Sequence, residues 1–260
     1  MLHKLRWLLL AAGLLLPLAA SANYWQGQQL TAQWQQYLAD SALLLQQDAA
    51  ALAAEQQGRP ATAALKHNEF GLTGISSAAE AQAVLSFQTP SGGWSKRTDM
   101  RIARQTGQQF GSEPNYVPTF DNDATSTQLQ WLADFYPQAT PQLQQDIAQA
   151  IERGITLVLS AQYPNGGFPQ SYPLRGSYHD AITLNDHALY QLMQLLWQVA
   201  NEPRFAMLAS STKTEAAAAF YRAVDWLLAN QVMVNGRRTV WGAQHHPLTG
   251  EPVMARSYEL

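Results

Sequence analysis

The chain has no cysteine in 260 residues. This excludes a disulfide framework and any thiolate metal site, so the fold must rest on packing and hydrogen bonding, for which a chain of this length has enough interior. Charge is also scarce. Only 13% of the residues are Asp, Glu, Lys or Arg, and the formal net charge is −3. With no basic surplus, the chain does not read as a nucleic-acid binder, and any anionic ligand must be met by local cations. Strand signals are sparse, limited to short candidates such as Arg238 to Trp241. Beyond the first residues no stretch is long and apolar enough to span a bilayer.

The one apolar run, Trp7 to Ala20, follows a basic start (His3, Lys4, Arg6) and ends in the small residues Ala20-Ser21-Ala22. It is read as a secretory signal over residues 1–22, cleaved before Asn23. The alternative, a membrane anchor, sits poorly with Pro17 and the small residues after it. The mature protein is expected to be secreted or periplasmic, without membrane association, and monomeric.

Residues 23–77 read as an N-terminal helical segment and linker. Trp34, Leu38, Leu43, Leu44, Leu45 and Leu52 have helical spacing up to the Gly58-Arg59-Pro60 stop, and a loop follows to residue 76. From residue 78 the pattern becomes periodic on a larger scale. Three segments, AQAVLSFQTPSGGWSK, GITLVLSAQYPNGGFPQ and AVDWLLANQVMVNGRRTVWGAQ, each run from an apolar helix through Gln and a turn to an aromatic. The aromatics Trp94, Phe168 and Trp241 stand 74 and 73 residues apart, the mark of a repeated supersecondary unit. Between them lie helical patterns at 123–136 and 185–200, whose opening Asp, Asn and Thr residues suit helix caps. Helical hairpins repeated in this way predict an all-α fold, an α/α toroid with its long loops on one rim, over residues 78–260.

Two stretches carry candidate chemistry. FDNDATSTQ places Asp121 and Asp123, and HDAITLNDHA places Asp180 and Asp186, at or just before helix starts. Capping explains one such residue per helix. Two carboxylate-rich starts in adjacent repeats instead suit a hard cation such as calcium, which takes several oxygen ligands. The aromatics of the Gly-rich loops, Trp94, Phe168 and Tyr172, read either as platforms for sugar rings or as plugs of the core. Lys96 and Arg97 follow the first loop, Arg175 the second, and Arg237 and Arg238 lie in the third; most such cations are simply solvated. Arg256 differs in standing among apolar residues near the end of the chain. His245-His246 makes a poor zinc site, because adjacent side chains diverge and no third nitrogen stands nearby.

In order, QTPSGGWSK, TFDNDATSTQ, YPNGGFPQSYPLR, HDAITLNDHA and ARSYEL resemble the signature segments of the pectate lyases of polysaccharide lyase family 10, over roughly residues 78–260. The resemblance implies an α/α toroid that cleaves polygalacturonate by calcium-dependent β-elimination. It implies that Asp121 and Asp186 contact calcium or substrate, that Arg256 is the catalytic base, and that Asp99 matches a further site residue. Asp123 and Asp180 are taken as further metal ligands, and Trp94, Lys96, Asp99, Phe168, Tyr172 and Arg175 as substrate-binding residues. The chain departs from the family pattern at Asp123, where glycine is usual, at Ser95, where proline is usual, and at Phe168, where tryptophan is usual. Family domains continue past the ARxYE motif with further helices, so the domain is expected to be cut short at its C-terminus.

Two rival readings follow from the same residues. A helical-toroid glycosidase acting on uronides would use two carboxyl groups, such as Asp121 and Asp186, as acid and base, with little need for calcium. A degenerate pectin-binding domain would hold oligosaccharide without turning it over.

Overall fold

A computed structural model describes residues 24–54, 62–113 and 118–254. Among these residues six α-helices carry the fold: α1 (Ala32–Ala54), α2 (Ala78–Ser86), α3 (Ser126–Phe135), α4 (Pro141–Ala161), α5 (Ala188–Asn201) and α6 (Ser210–Ala229). Five strands of two residues each, among the described residues, decorate them. β1 (Ile182–Thr183), β4 (Gln244–His245) and β5 (Pro252–Val253) form one antiparallel sheet in the order β1-β4-β5, while β2 (Met233–Val234) and β3 (Arg237–Arg238) form a hairpin. Among the described residues no helix is long and apolar enough to cross a membrane.

The helices follow from their sequence pattern. In α4, Leu143, Ile147, Ala150, Ile151, Gly154, Ile155, Val158 and Ala161 are buried at steps of three and four, so one stripe of the helix faces the core. Thr140 starts it by accepting from Leu143 N–H, and Pro141 sits at the first turn, where its missing N–H costs nothing. Helix α2 begins with reciprocal capping: Ser77 accepts from Glu80 N–H, and the Glu80 carboxylate accepts from Ser76 N–H and Oγ.

The 74-residue repeat is visible as the same set of hydrogen bonds made twice. Gln88 Nε2 donates to Gly92 O and Ala150 O, both at 2.8 Å, and Arg153 closes the bracket on Gln88 Oε1 at 2.6 Å. One repeat later, Gln162 Nε2 donates to Gly166 O at 3.0 Å and Ala219 O at 2.8 Å, and Arg222 binds Gln162 Oε1 at 2.9 Å. Each glutamine thus satisfies a buried turn carbonyl and a carbonyl of the next long helix. Within each turn, the same backbone bonds recur between Thr89 and Gly92–Gly93 and between Tyr163 and Gly166–Gly167. The third segment departs from this scheme. Asn235-Gly236, with φ of 50° and 76°, makes a tight hairpin turn, and Met233, Val234, Val240 and Trp241 stay exposed.

Helix α1 packs on the repeat region. Tyr37 Oη donates to Ala161 O at 2.9 Å, Leu174 N–H donates to Ser41 Oγ, and the Asp48 carboxylate accepts from Ser91 N–H and Oγ. Trp25, Trp34, Tyr37 and Tyr172 form a ring cluster with Tyr163, with centroids 4.9 to 6.1 Å apart.

Gly92 and Gly166 are the tightest points of the two brackets. Both have positive φ, 115° and 99°, and an added Cβ would lie 2.5 Å from Arg153 O and 2.3 Å from Arg222 O respectively. Neither carbonyl can swing away, because each belongs to a helix. Gly92→Ala and Gly166→Ala are each expected to cost about 3 kcal/mol, adding backbone strain to overpacking. Gly107→Ala, at a positive-φ site with open space around it, should cost about 1 kcal/mol. Urea denaturation of the three variants checks the order; equal losses at all three sites would count against the bracket as the source.

Candidate active site

The two carboxylate-rich stretches do not cap their helices. Asp121–Asp123 and Asn185–His187 form single 3-10 turns ahead of α3 and α5, and the residues at the helix starts, Thr125 and His187, make no side-chain cap. What these turns share is strain. Asn122, Asp123 and Thr125 have φ of 51°, 62° and 66°, and Asp186 and His187 have φ of 49° and 62°. Left-handed backbone is tolerable for Asn and Asp but costly for a β-branched threonine, and such clusters persist where the surroundings enforce them. Here the surroundings are specific. The Thr125 hydroxyl donates to Thr119 O and accepts from Trp94 N–H, so the strained turn is bolted to the first Gly-rich loop. On the other side, Phe120 N–H and Thr119 Oγ1 both donate to Gln170 O in the second loop.

The two turns pack against each other. Asp121 is buried, with Oδ2 accepting from Lys96 Nζ at 2.5 Å. Its other oxygen, Oδ1, is buried without a hydrogen-bond partner. Asp123 is half-buried. Burial first, and then the charges of Asp121 and Asp186, push its carboxyl up, against the pull of His187 and a hydrogen bond from Gln191. Three carboxylates therefore act on one small region. Asp186 itself is exposed and accepts from Asn185 Nδ2 at 2.9 Å. Among the described residues no three His, Asp or Glu side chains already surround a metal position. The donor set of Asp121, Asp123 and Asp186 still fits a hard cation, because it is all oxygen and one oxygen is buried and unmet.

Asp180 does not belong with them. Its Oδ1 and Oδ2 accept from the backbone N–H groups of Arg175 and Gly176, at 3.0 and 2.8 Å, so it holds the end of the second Gly-rich loop closed. Burial pushes its carboxyl up to about 6 despite those bonds and the nearby Arg175 charge. The reading of Asp180 as a metal ligand is corrected on this ground: its oxygens are already used to close a loop. Arg175 is the companion of this cluster. Burial draws its guanidinium down while the charges of Asp48 and Asp180 hold it up, which places it against α1.

The aromatic platforms are also corrected. Trp94, Phe168 and Tyr172 are fully buried, and Trp94 Nε1 donates to Val84 O at 2.8 Å. All three are plugs of the core, and their glycine loops serve close packing on α4 and α6. Asp99 is tied up by Arg101, which binds both of its oxygens. His245 is buried with Nδ1 on Gly250 O and Nε2 accepting from Gly242 N–H, which leaves it no free nitrogen for a metal. Arg256 lies outside the described residues, as do residues 1–22, which were expected to form a leader.

Among the described residues, Lys96 is thus the one anticipated cation shown to reach the strained turns. The residues missed were its neighbours. Glu113 lies 3.9 Å from Lys96 Nζ and binds Arg97 Nη1 at 2.7 Å, and Asn122 Oδ1 lies 3.4 Å from His67 Nδ1. Nothing in the local sequence marks Glu113; for Asn122 the available signal was only that asparagine tolerates left-handed backbone.

The Asp180 environment gives a pH signature. Its folded pKa lies above the ordinary value of 3.8, so the folded state holds the proton more tightly than the unfolded one between those limits. Stability from this group is full below pH 3.8 and is lost as pH rises through about 6, by on the order of 3 kcal/mol. Unfolding free energies measured from pH 4 to 7 should show this fall, and Asp180→Asn should flatten it. An unchanged slope in the variant would show that other groups carry it.

Comparison with known proteins bears on the same residues. The family model for pectic acid lyase matches residues 88–260. Two solved structures of a family 10 polysaccharide lyase from Cellvibrio cellulosa superpose with a TM-score of 0.61 each, at 31% and 32% identity. One of them is an aspartate-to-alanine mutant in complex with trigalacturonic acid. Each match covers 71% of this chain and 56% of the relative, so the chain spans little more than half the length of these relatives. No curated protein matches the sequence. The family match spans both Gly-rich loops and both strained turns, and on it the chain belongs to the pectic acid lyase family.

Proposed function

We propose that the chain is a calcium-dependent pectate lyase that cleaves polygalacturonate by β-elimination. The observation that carries this reading is the buried, unpartnered Oδ1 of Asp121 in a strained turn that faces a second strained turn with Asp186. In β-elimination the proton on carbon 5 of a uronate leaves, its electron pair forms a double bond to carbon 4, and the bond from carbon 4 to the glycosidic oxygen breaks. The barrier lies in acidity, because the proton sits beside a carboxylate that resists further negative charge. Calcium, when bound, neutralises that carboxylate and helps it accept the developing charge.

Asp121, Asp123 and Asp186 would hold the ion, with uronate oxygens supplying further ligands. The strain at Asn122, Asp123, Thr125, Asp186 and His187 supports a preorganised site, since it is imposed by the loops before any ligand arrives. Lys96 adds a fixed positive charge beside Asp121. Arg256 is assigned as base through its ARxYE motif. An arginine can serve only where positive neighbours and partial desolvation lower its proton affinity. The loops and turns are read as the rim of an α/α toroid, and the protein as exported to the periplasm or medium. The solved relative bound to trigalacturonic acid supports oligogalacturonate as the substrate class.

On polygalacturonate, unsaturated ultraviolet-absorbing products are expected in the presence of calcium and none in excess chelator. Asp121→Ala should lower kcat/KM by on the order of a hundredfold. Arg256→Lys should remove turnover while oligosaccharide binding persists, because lysine keeps the charge but not the guanidine geometry. Saturated products formed in excess chelator would overturn this reading in favour of a glycosidase, and binding without any product would favour a degenerate domain.

A further inference from the structure

The Lys96 ammonium occupies one oxygen of Asp121 while the other oxygen has no partner. Both side chains are nearly out of solvent, with Lys96 at 11% and Asp121 at 4% exposure, so water does little to screen the contact. A second acceptor waits beside it. Glu113 Oε2 lies 3.9 Å from the same ammonium, and Glu113 is fixed in place by Arg97 Nη1 at 2.7 Å. The backbone that carries Glu113 is anchored too, since Ser112 N–H donates to Thr98 Oγ1 and Ser112 Oγ donates to Arg97 O. Lys96 thus stands between two carboxylates, one in the proposed ion site and one outside it.

We propose that Lys96 is a built-in counter-ion that competes with calcium for Asp121 and sets the ion affinity of the site, with Glu113 as the acceptor that takes the ammonium when the ion enters. The inference rests on the calcium reading of Asp121 given above. Its physical basis is charge balance. In the free protein an unpaired, buried Asp121 would be costly, and the ammonium removes that cost. The same positive charge repels a divalent cation arriving at Oδ1, so the site is held at an affinity lower than three carboxylates alone would give. Strong binding then needs the negative charge of the uronate substrate as well, which couples ion capture to substrate capture. In this role Lys96 acts through Asp121 and is a positioning residue.

Terbium, which takes the same oxygen ligands as calcium, is the probe: its luminescence is titrated on the full chain without substrate and then displaced with calcium. Lys96→Met, which keeps the length of the side chain and removes the charge, should tighten binding of both ions by about tenfold. Lys96→Gln serves as a second version should methionine disturb the packing. Glu113→Gln should weaken binding severalfold, because it removes the second carboxylate available to the ammonium, and this variant alters a more exposed side chain. Arg101→Gln removes a positive charge that is held by Asp99 and touches neither Asp121 nor Glu113, and should change the affinity far less than Lys96→Met. The proposal is overturned if the Lys96 variants bind no more tightly than the parent, or if Arg101→Gln tightens binding as much, since a general field would then explain the effect. If binding is insensitive to Asp121→Asn, the calcium reading itself fails, an outcome distinct from an ion that binds at Asp121 but ignores Lys96.

Discussion

The structure hangs on a side-chain amide placed at the end of a helix. Gln88 and Gln162 each supply two donors and an acceptor where the chain leaves a helix and enters a buried Gly-rich turn. A turn sunk into the interior leaves carbonyls that water cannot reach, and an unmet carbonyl there costs as much as a lost hydrogen bond. The glutamine meets the turn carbonyl and at the same stroke ties the turn to the next long helix. Because an arginine from that helix holds the amide oxygen, the orientation of the bracket is settled as well.

The site inherits its geometry from these brackets. Once the first turn is pinned, Trp94 is driven into the core, and its backbone presents an N–H to Thr125 and a carbonyl to Thr119. Those contacts hold the Asp121–Asp123 turn in its left-handed conformation. Gln170, on the second loop, then accepts from Thr119 and Phe120, so both repeats act on the same turn. The buried, half-satisfied carboxylate of Asp121 is the end of this chain of constraints. It could not be maintained on a mobile loop, which would relax until the oxygen found water.

Residues 24–54 lie outside the matched family segment, yet they are integrated with it. Asp48 grips the first loop through Ser91, and Arg175 on the second loop feels both Asp48 and Asp180. The aromatic cluster around Tyr163 closes the same interface. Helix α1 is in effect a strap across the two repeated loops, made of side chains that the family motifs do not contain.

The repeat, most of the helices and the two acidic stretches were legible in the sequence, because periodicity, glycine pairs and local runs of Asp and Asn are properties of neighbouring residues. Helix α3 begins only at Ser126 and α5 at Ala188, later than the apolar patterns begin, because the acidic residues make turns instead of caps. The fate of Trp94 and Phe168 was not legible. A ring after two glycines looks the same whether it meets a sugar or a core, and only the packing of α4 and α6 against those glycines turned both inward. Asp180 and Asp121 were equivalent as letters; the backbone N–H groups of Arg175 and Gly176 occupied one, and a lysine with an anchored glutamate behind it half-occupied the other. The sequence by itself determined which residues could bring oxygen and charge to the site. The tertiary structure decided which of them keep an oxygen unspent, because that depends on donors brought from distant parts of the chain.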